Sequence, residues 1–522
     1  MLHNNYEPTF DASVGSWQGF GLARGSANEI GNASEGQLNI IFFVKFQGTY
    51  NRRGMIRMTE FRVKEKKIES KYIYRGCCAI VLMILASAMF FANWYEFVQI
   101  NNATGHLTGY GNLLMALFIY ALAFVLVGKG LRAFKIGVDR QTNIIASLVL
   151  TVFTVDVIEI PLSMAITGQF RFFFDFLLRY LVLGVVQAVL LSVLSIPMVR
   201  IYRGKYAPLK MIEIYGEYVN GLCAKVNSRA DKYHIVKMLS CNEPESKIKA
   251  EIMKYDAVLI NDLPSHMQNK ILKLCFDMDK RVYFTPKISD IIVKSSDELN
   301  LFDTPLYLCR NVGISWTQAA VKRFFDILLS GLALLLLSPV LLITALAIKL
   351  NDGGPVFYKQ ERCTIGGNHF MILKFRSMIV DAEKDGKSHP AGENDDRITK
   401  VGHVIRACRI DELPQLINIL KGEMSIVGPR PERVEHVEKY TADIPEFKFR
   451  MKVKGGLTGY AQVYGKYNTT ALDKLKLDLY YIMNYSILLD VQIIFETVKI
   501  LFQKESTEGF SEERVAEIQE RI

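Results

Sequence analysis

The stretch "DILLSGLALLLLSPVLLITALAIK" at residues 326–349 has no charged residue between Asp326 and Lys349, and Ser338 and Pro339 lie at its centre. As one straight helix, its uncharged part would be roughly 33 Å long, enough to cross a bilayer. Proline removes a hydrogen bond inside a helix and bends it. The path of this stretch therefore decides on which side of the membrane the rest of the chain lies.

Basic residues flank the stretch on both sides. They are Lys322, Arg323, Lys349, Lys359, Arg362, Lys374 and Arg376. A crossing would place one of these sets outside, against the positive-inside rule. The pattern predicts a helix–break–helix over 323–349 that enters and leaves on the cytoplasmic face. The alternative is a true span kinked at the proline, which would put residues after 350 outside the cell.

Four earlier segments also have membrane-spanning length. They are predicted at roughly Gly76–Tyr95, Tyr110–Gly128, Ile144–Gln169 and Phe172–Val199. Basic loops alternate with loops that carry little or no charge, so both ends of this block are predicted to face the cytoplasm. Asp156 and Glu159 fall within the third segment. They indicate either an ion path or a structural role, in which they pair between helices or lie near the membrane interface.

Composition supports a membrane protein with anionic partners. Half of the 522 residues are hydrophobic, and the formal net charge is +10. Such a charge suits lipid head groups and phosphate-bearing substrates. No zinc-ligand spacing, RNA-binding signature or basic zipper is present, so no nucleic-acid partner is expected. The eight cysteines include no CxxC pair, which is typical of a reducing cytoplasm.

The chain divides into four predicted parts. They are an N-terminal disordered segment (1–71), four transmembrane helices (72–202), a Rossmann-like cytoplasmic domain (203–315) and a C-terminal part (316–522). The first 50 residues are rich in Asn, Gly and Ser. Met55 and Met58 are candidate translation starts, which leaves open whether residues 1–54 are translated.

The third part alternates candidate strands and helices. The strands are predicted at Lys210–Tyr215, His234–Leu239, Ala257–Asn261 and Arg281–Thr285, with helices at about 245–254 and 264–279. The first strand leads into "YGEYVNG", where a dinucleotide site would require GxGxxG. Only Gly216 and Gly221 are available. We therefore expect a Rossmann-like domain without dinucleotide binding.

Two adjacent carboxylates mark the polar C-terminal region. Asp411 and Glu412, in "ACRIDELPQL", precede an apolar helical stripe, and Arg406 and Arg409 lie just upstream. Acids at a helix start can simply complement the helix dipole. The same position can hold a carboxylate ionised, as a nucleophile or a Mg²⁺ ligand requires. Both readings remain open from this helix alone.

Three cations nearby are candidates for phosphate binding. Lys374 and Arg376 alternate in "LKFRSM", which predicts that they project from one face of a strand. Arg430 lies between two prolines in "GPRPE", so it is presented with little conformational freedom. Each is also compatible with an ordinary strand face or turn. Together they indicate an anionic ligand.

Residues 321–510 resemble the bacterial sugar transferases, the monotopic polyprenyl-phosphate glycosyl-1-phosphate transferases. The motifs, in chain order, are "KRFFD", the Ser-Pro break, "GGPVFYKQERCTIGG", "LKFRSM", "RIDELPQLINILKGEMSIVGPRPE" and "GGLTGYAQVYGKYN". With the upstream parts, the chain resembles the long members of this family. One departure is Gly455, where the family usually has proline. The resemblance implies a mixed α/β monotopic catalytic domain with a re-entrant helix shaped by Ser338 and Pro339.

The resemblance also implies a reaction and its residues. A sugar 1-phosphate passes from a UDP-sugar, expected to be a UDP-hexose, to undecaprenyl phosphate, and UMP leaves. Asp411 would be the nucleophile that forms an aspartyl phosphosugar, and Glu412 its acid/base or metal-organising partner; both would bind Mg²⁺. The implied substrate-binding residues are Lys374, Arg376, Arg406, Arg409, Arg430, Gly456, Thr458 and Gln462.

The implied setting is a bacterial cytoplasmic membrane, with the catalytic domain facing the cytoplasm and starting exopolysaccharide, capsule or O-antigen synthesis. A second copy of the chain and downstream glycosyltransferases are candidate partners. Two rival functions remain. One is a non-catalytic membrane scaffold that binds nucleotide-sugars as a signal. The other is a glycosyltransferase that moves the sugar alone and releases UDP.

Overall fold

The computed structural model describes residues 52–101, 109–168, 170–216, 221–301, 303–309, 313–380, 382, 395–465 and 469–501, with side chains from residue 69 onward except at 110, 167 and 501. The disorder expected for residues 1–50 lies outside these ranges. The chain forms two units, residues 1–73 and 74–522. The packing described below belongs to the second.

Within the described ranges, five helices are long and apolar enough to cross a membrane. They are α1 (Arg52–Asn101), α2 (Tyr110–Gly130), α3 (Gln141–Thr167), α4 (Phe173–Lys205) and α9 (Trp316–Asp352). Each predicted span falls within or almost within one of these helices. The first four share an apolar core, with one fully buried side chain from each in Phe90, Tyr120, Leu148 and Leu191. Large side chains on their outer faces are exposed, as in helices that face lipid.

The two acids of α3 are buried within this core. Tyr120 lies 3.4 Å from Asp156 Oδ1, and it also donates to Gln187 Oε1 at 3.0 Å. Asp156 therefore contacts a neighbouring helix, as one of the two readings predicted. Glu159 has no hydrogen-bond partner among the described residues. The ion-path reading stays open.

The α/β unit after α4 is a parallel sheet. Its strands are β1 (Leu209–Tyr215), β2 (Tyr233–Ser240), β3 (Ala257–Asn261) and β4 (Arg281–Phe284), in the order β2-β1-β3-β4. Four helices accompany them: α5 (Leu222–Asn227), α6 (Glu245–Met253), α7 (Ser265–Asp277) and α8 (Ile288–Lys294). Each strand begins and ends within one residue of its prediction. An unpredicted antiparallel hairpin follows, formed by β5 (Asp297–Leu301) and β6 (Thr304–Leu308).

Helix α9 is continuous through Ser338 and Pro339. The predicted interruption between two helices is therefore not present in its secondary structure. Proline at 339 cannot donate to the carbonyl of Leu335 four residues earlier. Ser338 Oγ donates to that same carbonyl at 2.8 Å. The serine thus replaces the hydrogen bond that the proline removes.

The final part is a mixed α/β unit, as predicted. Its strands form two pairs, β7 (Phe357–Cys363) with β8 (His369–Phe375), antiparallel, and β9 (Ser425–Val427) with β10 (Gly456–Thr458), parallel. Its helices are α10 (Lys400–Ala407), α11 (Gln415–Lys421), α12 (Val434–Asp443), α13 (Tyr460–Tyr464), α14 (Ala471–Met483) and α15 (Ile487–Leu501). Phe447, Leu479 and Ile493 centre its main apolar core.

This unit contacts α9 along most of the helix. Near the helix start, Arg323 donates to the carbonyl groups of Ile419 and Leu420 at 2.5 and 2.7 Å. Near its end, Asp352 pairs with Arg376. Between them, Ala333, Leu334, Leu341 and Ala345 pack against the cores of the unit. One face of α9 therefore lies on the mixed α/β unit, and leucines on the other face remain exposed.

Candidate functional site

The adjacent carboxylates lie on a 3-10 turn, Ile410–Glu412, between α10 and α11. Arg409, just before the turn, has a left-handed backbone with φ of 53°, a conformation that is strained for a side chain of this size. This residue redirects the chain after α10. The two acids were predicted at a helix start, but they lie about one turn before it, because α11 itself begins only at Gln415.

Glu412 is held by cations from three separate segments. Lys374, at the end of β8, donates to its Oε1 at 3.0 Å, and Arg430 donates to the same oxygen at 2.9 Å. Arg409 lies 3.7 Å from Oε2. The Glu412 side chain is only 12% exposed, so these interactions are little screened by water. The structure therefore brings three of the predicted substrate-binding cations to one carboxylate.

Electrostatic interactions and burial shift the pKa values of Asp411 and Glu412 in opposite directions. Burial raises the pKa of Glu412, but the charges of Arg430 and Lys374 outweigh it, and the net pKa lies well below the usual range. Burial raises the pKa of Asp411, and repulsion by Glu412 adds to the increase. The basic neighbours only partly oppose it. The cations therefore hold Glu412 ionised more strongly than Asp411, and the prediction that the turn keeps Asp411 ionised stays a prediction.

Asp411 is available for chemistry. No described residue forms a hydrogen bond or ion pair with its carboxylate. The pKa values of Asp411 and Glu412 are affected by four cations, Lys374, Arg406, Arg409 and Arg430. When both acids are ionised, these four positive charges exceed the two negative charges by two. An anionic ligand would balance the excess.

The arrangement of Asp411 and Glu412 suits a Mg²⁺ site with one protein carboxylate ligand better than a site with two. In proteins Mg²⁺ is usually held by one or two carboxylates plus substrate phosphate oxygens. Asp411 offers an unpaired carboxylate, whereas Glu412 would have to release Lys374 or Arg430. The described residues contain no group of three His, Cys, Asp or Glu that could form a complete protein cage.

The loop that carries Arg430 approaches β10 very closely. A Cβ on Gly456 would lie 2.1 Å from the backbone nitrogen of Gly428. Only glycine allows these two segments to meet. The predicted role of Gly456 in substrate binding is untested, and the structure assigns it a packing role.

Other predicted site residues have partners away from the carboxylates. Arg376 is buried against Asp352, because β8 ends at Phe375 and its alternation does not extend to residue 376. Thr458 Oγ1 lies 2.6 Å from Thr497 Oγ1, and Gln462 donates to the carbonyl of Leu457 at 3.1 Å. Their substrate contacts stay predictions.

The sequence reasoning missed several buried charges that support this region. Arg450 and Asp478 are 3% and 1% exposed and form an ion pair. Asp326, in α9, accepts hydrogen bonds from Ser425 Oγ and from the backbone of Ile426. The sequence did contain a signal for Asp478, because this acid falls among the apolar positions of an amphipathic helix.

The family model described as bacterial sugar transferase matches residues 317–504, which include every residue of this site. The exopolysaccharide production protein ExoY of Sinorhizobium fredii is 38% identical over 191 residues, 34% of this chain and 83% of the relative. The chain belongs to the bacterial sugar transferase family.

Two further relatives of this sugar transferase match over a smaller share of their own length than ExoY does. The UDP-N-acetylgalactosamine-undecaprenyl-phosphate N-acetylgalactosaminephosphotransferase of Aeromonas hydrophila is 38% identical over 264 residues, 48% of this chain and 59% of the relative. The UDP-glucose:undecaprenyl-phosphate glucose-1-phosphate transferase of Escherichia coli K12 is 45% identical over 203 residues, 38% of this chain and 42% of the relative. The chain spans about half the length of these curated relatives.

Proposed function

We propose that this sugar transferase moves a sugar 1-phosphate from a UDP-sugar to undecaprenyl phosphate, releasing UMP. The observation that carries the proposal is an unpaired carboxylate, Asp411, beside a cluster of cations. The names of the relatives support the two substrate classes. A UDP-hexose is the expected donor, and the product would begin a surface polysaccharide.

The reaction requires two anions to meet at one phosphorus atom. In the first step, an Asp411 oxygen attacks the phosphorus that bears the sugar, and the bond to UMP breaks. In the second, an oxygen of undecaprenyl phosphate attacks the same phosphorus and displaces Asp411. Dividing the reaction in this way separates the two anionic substrates in time.

The cations have distinct tasks in this scheme. Arg430 and Lys374 are already aligned by Glu412, and their remaining donors are suited to diphosphate oxygens. Arg406 and Arg409 add positive charge near Asp411. These cations would favour the ionised form of Asp411 and offset the repulsion between its carboxylate and the anionic donor. Mg²⁺, when bound, would supply further charge neutralisation at the phosphates.

Contacts at both ends of α9 support a re-entrant, monotopic position. The 37-residue helix is about 55 Å long, well above the ~30 Å hydrocarbon thickness. If α9 crossed the bilayer, the polar unit packed along it would have to enter the membrane with it. A helix with one face on this unit and the other in lipid keeps both ends on the cytoplasmic side of the inner membrane.

A UMP-release assay in membranes, with undecaprenyl phosphate and a panel of UDP-sugars, tests the proposal. UMP release with incorporation of the labelled phosphate into lipid is the expected result, and Asp411→Asn should abolish both. Glu435→Gln, which changes an exposed acid of α12, is the matched control. Release of UDP would identify the simple glycosyltransferase instead. Nucleotide binding without any turnover would favour the scaffold.

A further inference from the structure

The loop Pro429–Glu432 has an unusual pattern of hydrogen bonds. Its two prolines have no N–H group, so the loop cannot form a regular ladder with a neighbouring strand. Its four carbonyl groups are nevertheless all bound. Pro429 O accepts from the backbone of Gly456 at 2.9 Å, and Glu432 O from the backbone of Cys363 at 3.0 Å.

Arginine side chains bind the two middle carbonyls. Arg362 donates to Pro431 O at 3.3 Å, and Arg450 donates to Arg430 O at 2.9 Å. Two guanidinium groups thus take the place of the strand donors that this loop lacks. The carbonyl that Arg450 holds belongs to the residue whose own side chain reaches Glu412.

Arg450 is itself fixed in place. Its Nε and Nη2 lie 3.0 and 2.8 Å from Asp478 Oδ2, and its Nη1 lies 3.4 Å from Glu432 Oε1. The side chain is 3% exposed and faces two carboxylates, so a phosphate cannot reach it. Arg450 is therefore unsuited to bind substrate directly. A lysine could not span these three acceptors, since it carries one point charge rather than a planar fork.

We propose that Arg450, paired with Asp478, is a positioning residue that fixes the Pro429–Glu432 loop so that the Arg430 guanidinium meets the donor diphosphate in one orientation. The proposal rests on the proposed function only for the identity of the donor. Its physical basis is that Arg430 leaves a loop with few internal bonds. Without the Arg450 contact, Arg430 would have to be ordered each time a ligand binds.

A double-mutant cycle separates this role from general support of the fold. Arg450→Lys is combined with Arg430→Ala, and the dissociation constant for UDP with Mg²⁺ is measured by calorimetry on the full chain in detergent. In the parent, Arg450→Lys should weaken UDP binding about tenfold. In the Arg430→Ala background the same change should cost less than about twofold, because residues in one network are non-additive.

The matched control is Asp490→Asn. It breaks a partly buried ion pair between α15 and α9, in which Asp490 is 13% and its partner Lys322 is 11% exposed. Asp490 makes no described contact with residues 429–432. Its effect on UDP binding should be equal in both backgrounds. If Arg450→Lys does not yield folded protein, Asp478→Asn, which keeps the side-chain shape, takes its place with the same expectation.

Equal losses from Arg450→Lys in both backgrounds would overturn the proposal, as would unchanged UDP binding by Arg430→Ala. Failure of the proposed function has a different signature. The parent would then bind UDP but release no UMP from any UDP-sugar. The coupling between Arg450 and Arg430 would still appear in the binding data.

Discussion

Arg430 donates to Oε1 of Glu412 over 2.9 Å, although 18 positions separate the two residues in the chain. Lys374 binds the same oxygen, so the carboxylate is held from two directions. Among the described residues, the neighbouring Asp411 has no such partner. Environments that push the pKa values of adjacent acids apart commonly assign them different roles. In the proposed reaction, Glu412 aligns the cations and Asp411 reacts with the donor.

Replacing Glu412 by Gln should destabilise the protein at neutral pH by about 1–2 kcal/mol, since it leaves the partly buried Lys374 and Arg430 without their counter-charge. The pKa of Glu412 is lowered on folding, so its stabilising contribution is present above the unfolded pKa of about 4.5 and is lost as the pH falls through the folded value. Thermal unfolding of both proteins between pH 7 and pH 3 measures this. A difference in melting temperature that does not shrink below about pH 4.5 would contradict the assigned charge.

Replacing Asp411 by Asn should have the opposite effect on stability. The pKa of Asp411 is raised on folding, so the ionised acid disfavours the folded state once the pH exceeds the folded pKa. We expect Asp411→Asn to unfold at a higher temperature than the parent at pH 7 while losing transfer activity. The same melting experiment tests this, with Glu435→Gln as the neutral surface control. A lower melting temperature would mean that Asp411 has a stabilising partner.

Lys374 and Arg376 should respond differently to substitution despite their proximity in sequence. Lys374→Met removes a charge from the site and should weaken UDP binding at least about tenfold. Arg376→Lys should lower thermal stability, because it disturbs the buried pair with Asp352, but change UDP affinity less than about threefold. Calorimetry on both variants separates the two roles. Comparable losses of affinity would place Arg376 at the phosphates, as the family resemblance implies.

The position of α9 can be tested by labelling both of its ends. Thr317→Cys and Asn351→Cys introduce thiols at exposed positions, in a background where the exposed Cys77, Cys309 and Cys408 are replaced by serine. A membrane-impermeant maleimide should label neither site in spheroplasts and both in inverted vesicles. Labelling of one site in intact spheroplasts would establish a true span.

The regular elements were largely predictable because apolar runs bounded by polar residues define them. The four parallel strands are an example, as both faces of that sheet are covered. The β7 strand "FYKQERC" and the β5–β6 hairpin were missed, since their side chains are mostly exposed and have no clear alternation. The site was predictable only in part. Local sequence identifies Asp411 and Glu412, but not that Arg450, far along the chain, would hold the carbonyl of Arg430.

Helix α9 presents leucines to the surroundings along the whole face that the mixed α/β unit leaves bare. If the proposed transfer takes place with that face in lipid, the acceptor would reach Asp411 by lateral diffusion, and the encounter would be a search in two dimensions rather than three. The nucleotide would enter and leave through water, and the lipid product would move sideways within its leaflet. The two products would then leave by separate routes, and neither would have to wait for the other to clear a shared exit.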